Sequence, residues 1–215
     1  MKKDLTELVF IIDRSGSMGG LESDTIGGFN AMLKEQKAVK GEALVTTVLF
    51  DDQYELLHDR IDIQAIAPLS DKDYTVRGST ALFDALGKTI KKVRNAHSHT
   101  EEAYRPEKVM FFVITDGLEN ASREYSADRL KARIEHQRKK HGWEFVFFGA
   151  NMDAVLEAGK LGIAADRAMK YQANSDGINE SWSSISLYSS GYRTDQGPVK
   201  KTFDLKNILL WFKGN

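Results

Sequence analysis

The sequence predicts an α/β fold with a doubly wound, mainly parallel central sheet, one antiparallel edge strand and helices on both faces. Short apolar runs alternate with helical patterns along most of the chain, which is typical of βαβ units. Three of these runs, at 8–12, 109–115 and 143–150, are almost wholly apolar, as expected of parallel strands covered on both faces. With 215 residues, 41% of them hydrophobic, a single domain with a large core is the simplest organisation.

The first half of the chain begins with the strand at 8–12, "LVFII". A helical pattern follows, although Gly27 and Gly28 weaken it. Two β-rich runs separated by a polar turn then predict a hairpin, which lays one antiparallel strand on the sheet. The elements expected after the first strand are a helix over 24–39, strands over 43–52 and 54–63, and an amphipathic helix over 81–93.

The second half continues the alternation of strands and helices. The polar stretch 94–108 predicts a loop before the strand at 109–115. Residues 191–215, which include the apolar run "NILLWF", are expected to form a C-terminal extension that packs on a core of about 5–190. The remaining expected elements are a helix over 126–142, a strand over 143–150, a helix over 154–162, an edge strand over 167–172 and a helix over 178–190.

Charge and composition exclude several classes of protein. Thirty basic and thirty-one acidic residues give a net charge of -1, so the chain has no overall field to attract nucleic acid or an anionic membrane. It has no cysteine, which excludes disulfides and thiolate chemistry and fits a reducing compartment. The N-terminus lacks the apolar segment of a signal peptide, and no run reaches the roughly 20 residues of a membrane span. We therefore expect a cytoplasmic protein, with the glycosylation sequons at Asn120 and Asn179 as chance matches.

Two of the predicted buried strands end in a carboxylate, at Asp13 and Asp116. In an open α/β sheet the ligand crevice lies at the carboxyl ends of the strands, and two carboxylates placed together there require a cation or a shared proton. Three hydroxyls, Ser15, Ser17 and Thr80, accompany them. Oxygen ligands of this kind suit Mg²⁺, with Mn²⁺ or Ca²⁺ as alternatives, and disfavour zinc.

These residues carry a family resemblance. "DRSGS", the threonine of "GST" and "ITDG" resemble, in order and spacing, the metal-ion-dependent adhesion site (MIDAS) of von Willebrand factor type A (VWA) domains. The resemblance extends from about residue 8 to residue 171. It implies that Ser15 and Ser17 bind the metal directly, Thr80 directly or through water, and Asp13 and Asp116 mainly through water.

The same resemblance implies a function. Neutral hydroxyls beside the metal leave it positive enough to take a further anionic ligand, which in this family is typically an Asp or Glu side chain of a partner protein. The chain is therefore expected to be a protein-binding module with no catalytic residue. In the family, binding can also be coupled to displacement of the last helix, for which 178–190 is the candidate here.

Other readings of the motif remain open at this point. "DRSGS" alone could be a turn in which Asp13 and the serines cap backbone groups. A metal-dependent phosphate-ester hydrolase and a structural subunit with a vestigial site are the two alternative functions. An aspartyl phosphotransferase is disfavoured, because it needs a second acid two residues after its nucleophile and this chain has Ser15 there. A nucleotide-binding phosphate loop is disfavoured because the chain lacks the Gly-Lys-Ser/Thr motif.

Polar residues around the motif have simpler expected roles. Asp84, one helical turn after Thr80, could face the site, but a role facing solvent or capping a backbone group is the one expected. Asp51 and Asp52 are expected to shape the hairpin turn. Glu119 and Asn120 would lie on the rim of the site, where they could touch a partner.

The histidines lie in polar or basic surroundings, and the pair His97 and His99 and the basic helix face are expected to be solvated. His97 and His99 form a weak metal-binding pattern in a charged stretch. The basic face of the helix at 126–142 lacks the interleaved aromatic residues of a nucleic-acid-binding surface. The five histidines are His58, His97, His99, His136 and His141.

Overall fold

The computed structural model describes residues 1–150 and 152–194. They form a six-stranded sheet with helices on both faces. The strands are β1 (Lys2–Asp13), β2 (Glu42–Phe50), β3 (Tyr54–Asp62), β4 (Pro106–Thr115), β5 (Glu144–Ala150) and β6 (Ala168–Tyr171). The helices are α1 (Glu22–Ala38), α2 (Leu82–Ser98), α3 (Ala127–His141), α4 (Ala154–Lys160) and α5 (Ser175–Thr194).

The strand order is β3-β2-β1-β4-β5-β6, and only β3 is antiparallel to its neighbour. The predicted doubly wound sheet with one antiparallel edge strand is therefore confirmed. The chain builds outward from β1 in both directions, so the order reverses between β1 and β4. Ile12 is paired with Ile114, which brings Asp13, the last residue of β1, and Asp116, the residue after β4, to the same edge of the sheet.

Strand β1 is apolar because both of its faces are covered. Leu8, Phe10 and Ile12 point into a core shared with α1 and α5, whereas Val9 and Ile11 point into a second core shared with α2, α3 and α4. This alternation follows from the two-residue period of a strand. The layers are thus two helices, the sheet and three helices.

Helices α1 and α5 pack closely at Gly28. The ring of Trp182, which is 2% exposed, lies so near that a Cβ at position 28 would be 2.1 Å from its Cδ1 atom. Trp182 also packs edge-on against Phe29, with ring centroids 5.6 Å apart. The glycine that weakened the helix pattern in the sequence is therefore what allows the two helices to approach.

The predicted loop over 94–108 is wrong in part. Helix α2 continues to Ser98, and β4 already begins at Pro106. The helix extends because His97 turns inward and lies 2.7 Å from the Glu7 carboxylate, which is wholly buried in β1. The expectation that His97 is simply solvated is likewise wrong, whereas His99 is exposed.

The end of the chain is described only in part. Helix α5 begins at Ser175 and runs to Thr194, so it is longer at both ends than the predicted 178–190. The predicted extension over 191–215 falls mostly on residues 195–215, which lie outside the described residues, as does the run "NILLWF". Across the described part of the chain, no helix combines the length and apolar character needed to cross a membrane.

Candidate metal site

Four of the predicted site residues form one chain of oxygen atoms at the carboxyl edge of the sheet. Ser15 Oγ lies 3.0 Å from Thr80 Oγ1 and 3.2 Å from Ser17 Oγ. Ser17 Oγ in turn donates to Asp116 Oδ1 at 2.5 Å. Ser15 and Thr80 are buried, but Ser17 is exposed, so the cluster opens to solvent on the side of Ser17.

Asp13 lies beneath this cluster rather than within it. Its Oδ1 accepts a hydrogen bond from the backbone N–H of Ser15 at 2.7 Å, and its Oδ2 accepts one from Thr115 Oγ1 at 2.5 Å. The Tyr74 hydroxyl donates to the backbone carbonyl of Asp13. The carboxylate is 0% exposed, so it lies on the protein side of the cluster. Its hydrogen bond to Ser15 N fixes the turn that carries Ser15.

The turn after β1 is held against the loop that carries Thr80. Ser15 is extended, and a single 3-10 turn over Gly16–Met18 follows it. Gly16 N donates to the carbonyl of Gly78 at 3.1 Å. Gly78 has φ +67, a left-handed conformation that glycine adopts without strain. These contacts place the hydroxyls of two distant segments side by side.

An ion pair between a buried carboxylate and a half-exposed arginine braces the same loop from the hairpin side. The Asp51 carboxylate is 0% exposed and accepts from Arg77 Nε at 2.6 Å and from the Gln53 backbone at 2.6 Å. The Asp51 carbonyl also accepts from Ala81 N at 2.8 Å. Asp51 therefore shapes the hairpin turn, as expected, and in addition anchors both ends of the segment that presents Thr80.

The loop after β4 supplies a further support that the sequence reading missed. Asn120 Oδ1 accepts from the backbone N–H of Thr80 at 2.9 Å. The Glu119 carboxylate accepts from Phe83 N and Ser122 N at 2.8 and 2.7 Å, so it organises the loop instead of extending from the rim. In the sequence, the only indication that Asn120 supports Thr80 is its position close to the "ITDG" motif.

Asp84 has the capping role expected of it. Its two carboxylate oxygens accept three hydrogen bonds of 2.9 Å from the backbone N–H groups of Arg123, Glu124 and Tyr125. Burial alone would raise the pKa of Asp84, but these N–H groups hold it below its ordinary value. Asp84 thus ties α2 to the loop that holds Thr80.

The ionised forms of the two acids at the strand ends, Asp13 and Asp116, are disfavoured. Burial, the largest influence, raises the pKa of Asp13 to about 6 and also raises the pKa of Asp116. The charge of Asp116 adds to the effect on Asp13. A cation in the cluster would favour the ionised form of both groups.

The residues present fit a small divalent cation. Gly117 lies against the cluster, where a Cβ would be 2.7 Å from Thr80 Oγ1 and 3.2 Å from Ser17 Oγ. The absence of a side chain there leaves an open cradle lined by hydroxyl and carboxylate oxygens, the donors that hard cations prefer. Within residues 1–150 and 152–194, no group of three or more His, Cys, Asp or Glu side chains converges on a metal position. A metal here would thus depend on Ser15, Ser17 and Thr80.

Comparisons with known proteins bear on the fold. No protein-family model and no curated protein matches the sequence. Among solved structures, proximal thread matrix protein 1 from the mussel byssus, with a zinc-occupied MIDAS motif, is similar at 14% identity and a TM-score of 0.59, covering 88% of this chain and 47% of that one.

Two microbial structures are similar to a comparable degree. The von Willebrand factor type A protein from Catenulispora acidiphila has 14% identity and a TM-score of 0.57, over 88% of this chain and 43% of that one. The ArnB paralog VWA2 from Sulfolobus acidocaldarius has 15% identity and a TM-score of 0.54, over 86% and 44%. This chain spans less than half the length of these three proteins. It has the VWA fold, as its motifs predicted.

Proposed function

We propose that this chain is a metal-dependent protein-binding module, in which a divalent cation held by Ser15, Ser17 and Thr80 captures an Asp or Glu side chain of a partner protein. Mg²⁺ is the cation that the oxygen-only donor set favours, with Mn²⁺ or Ca²⁺ as alternatives. Asp13 and Asp116 would act on the cation mainly through water and hydrogen bonds.

The observation that carries the proposal is the convergence of three hydroxyls from two separate segments. Ser15 Oγ lies within 3.2 Å of both Ser17 Oγ and Thr80 Oγ1, although Thr80 is 65 residues away from Ser15. Neutral ligands leave most of the charge of the cation in place, and Ser17 is exposed. Such a cation can accept an anionic ligand from outside.

We propose a binding role rather than an enzymatic one because the acid that an enzyme would use is fully engaged. Both Asp13 oxygens already accept hydrogen bonds, from Ser15 N and Thr115 Oγ1, and the carboxylate is 0% exposed, so it cannot reach a substrate as a nucleophile. No histidine takes part in the hydrogen-bonded cluster in the part of the chain that the structure describes.

The mussel protein whose MIDAS motif holds zinc supports the metal-binding part of this proposal. We place the module inside the cell, for which the absence of cysteine from the sequence is the support.

Isothermal titration calorimetry with Mg²⁺ tests the metal site. The wild type should bind Mg²⁺, and the Ser15→Ala, Ser17→Ala double variant should lose that binding while keeping its circular dichroism spectrum. A matched control, Ser98→Ala with Ser183→Ala, removes two exposed hydroxyls elsewhere and should bind as the wild type does. A folded wild type without affinity for Mg²⁺, Mn²⁺ or Ca²⁺ contradicts the proposal.

The binding role has its own test. The immobilised wild type is exposed to native lysate and eluted with a chelator, and the eluted proteins are identified. Proteins retained by the wild type and by the control, but not by the Ser15→Ala, Ser17→Ala variant, are the expected result. If the same proteins bind all three chains regardless of chelator, the site is vestigial. Turnover of a phosphate ester in Mg²⁺ that Asp13→Ala abolishes would instead identify a hydrolase.

A further inference from the structure

A cavity lies at the amino-terminal ends of the parallel strands, at the opposite edge of the sheet from the candidate metal site. It has a volume of about 680 Å³ and lies between the C-terminal ends of α2 and α3 and the segments that lead into β4 and β5. Pockets for small molecules measure roughly 300–1,000 Å³, so this cavity can hold one. None of the candidate metal-site residues lines it.

Positive charge is concentrated around this cavity. Arg94, Arg105 and Lys140 line it, and Glu102 is the only carboxylate among the described residues that does so. None of the three cations has an ion-pair partner in the part of the chain that the structure describes. Unpaired cations around a concave surface form a local field that attracts anions.

The two helix ends account for these cations only in part, since Arg105 Nε donates to the carbonyl of Thr100, just past the end of α2, at 2.7 Å. Basic residues often occur at helix C-termini because they interact with the last carbonyls and with the helix dipole. Here the chain itself supplies donors to such carbonyls. Thr100 Oγ1 donates to the Ala96 carbonyl at 2.8 Å, and Gly142 N donates to the Arg138 carbonyl at 3.1 Å. Arg94 Nη2 donates to Asn95 Oδ1 at 3.2 Å. Within the described residues these bonds go to neutral oxygens, so the positive charge of the three side chains is not neutralised by a carboxylate and can attract an anion.

The histidines of the cavity experience the same field. Burial lowers the pKa of His141, and the positive charges of Lys140, His136, His97 and Arg105 lower it further. The four groups whose charges lower it are all basic. An anion at this position would relieve the repulsion.

The wall of the cavity is buried aromatic surface and has unmet hydrogen-bonding capacity. Trp143 is 4% exposed, stacks on Phe111 with centroids 5.4 Å apart, and meets the edge of His97 at 5.5 Å. His97 is fixed in turn by the buried Glu7. Gln137, which is 3% exposed, also lines the cavity, and its Oε1 has no hydrogen-bond partner. A bound molecule with a donor group would satisfy this atom.

We propose that this cavity binds the phosphate groups of a small molecule, with Arg94, Arg105 and Lys140 as the phosphate ligands and Trp143 as the wall. Two guanidinium groups and an ammonium group suit phosphate oxygens, because guanidinium presents paired donors that match them. The recessed shape favours a small molecule over a nucleic acid chain, which needs an open groove with exposed aromatic residues. This site is independent of the function proposed for the metal site.

Calorimetric titration with inorganic pyrophosphate and with adenosine diphosphate tests the proposal. A chelator is present throughout, so that phosphate cannot bind through a metal at the other edge of the sheet. The Arg94→Ala, Lys140→Ala double variant should bind both probes about tenfold more weakly or worse, since hydrogen bonds to charged groups are lost. The matched control, Lys91→Ala with Lys131→Ala, removes the same charge from exposed positions that do not line the cavity and should keep wild-type affinity. The Ser15→Ala, Ser17→Ala variant should also bind as the wild type does.

Three results would overturn the assignment. The first is a wild type that binds neither probe at millimolar concentration. The second is an equal loss of affinity in the Arg94→Ala, Lys140→Ala variant and in the Lys91→Ala, Lys131→Ala control, which would indicate diffuse surface charge. The third is tighter binding of a single-stranded RNA oligonucleotide than of either probe, which would make the surface a nucleic-acid site. Circular dichroism of each variant confirms that it is folded.

Discussion

The hydroxyl of Thr115 donates to Asp13 Oδ2 at 2.5 Å and thereby joins the ends of β4 and β1 beneath the candidate metal site. Thr115→Val keeps the shape of the side chain but leaves a wholly buried carboxylate with one partner fewer. We expect it to lower the free energy of unfolding by about 1–3 kcal/mol and to weaken Mg²⁺ binding. Urea denaturation and calorimetry measure the two effects.

The matched control for Thr115 is Thr47. Its hydroxyl is also buried but has no hydrogen-bond partner, so Thr47→Val should leave the stability unchanged or raise it, with Mg²⁺ affinity as in the wild type. Equal losses in the two variants would mean that the Asp13 contact has no special role.

Gly117→Ala should close the cradle of the metal site. The new Cβ would lie 2.7 Å from Thr80 Oγ1, and Thr80 is too buried to move aside. We expect the affinity for Mg²⁺ to fall about tenfold or more, equivalent to about 1.4 kcal/mol, as measured by calorimetry. Gly159→Ala, at an exposed helical position with no atom within 4 Å, serves as the control and should leave the affinity unchanged. Wild-type Mg²⁺ binding by Gly117→Ala would place the metal elsewhere.

Two adjacent glycines in α1 should respond in opposite directions to the same substitution. Gly28→Ala forces a Cβ to within 2.1 Å of the Trp182 ring and should destabilise the fold by about 1–3 kcal/mol or more. Gly27→Ala meets no atom within 4 Å and should stabilise it by up to about 1 kcal/mol, because alanine favours the helix. The melting temperatures of both variants, measured by thermal unfolding, test whether the two changes in stability have opposite signs. Similar shifts in melting temperature would show that α5 does not pack on α1 as described.

The Asp84 cap predicts a pH dependence. The pKa of Asp84 is lower in the folded chain than its ordinary value of 3.8. Its ionised form therefore contributes stability that is fully present above about pH 5 and is lost as the pH falls through the folded pKa. The wild type should be more stable than Asp84→Asn at neutral pH, and the difference should shrink in acid.

The control for the Asp84 experiment is Asp71→Asn, at an exposed carboxylate. Its stability should follow the wild type at every pH. A gap between the wild type and Asp84→Asn that stays constant from neutral to strongly acidic pH would show that the charge of Asp84 is not what holds the 123–125 loop. Denaturant titrations over a range of pH values supply the measurement.

The carboxyl ends of β1 and β4 could be predicted from the sequence, because a strand that is buried on both faces appears as a continuous apolar run. β1 and β4 are apolar on both faces, so the polar residue that ends each run, Asp13 or Asp116, stands out. The sheet order then requires these residues to share an edge. The hydroxyls of Ser15 and Thr80 could be assigned because the motif spacing agreed with that edge.

The supporting contacts could not be predicted in the same way. Thr115 reads as one more β-branched strand residue, and its bond to Asp13 depends on the register of β4 against β1. Glu7 precedes the apolar run of β1, so nothing in the pattern shows that it is buried beside His97. Contacts of this kind join residues far apart in the chain and leave no local periodicity.

One strand reaches both of the sites described above. Glu7 contacts His97 in the wall of the proposed phosphate cavity, and Asp13 supports the candidate metal site. They are six residues apart on β1, or roughly 20 Å at about 3.3 Å per residue. Two ligands at that separation do not collide. If both proposals hold, the chain would carry a small phosphorylated molecule at one end of the sheet and a partner protein at the other.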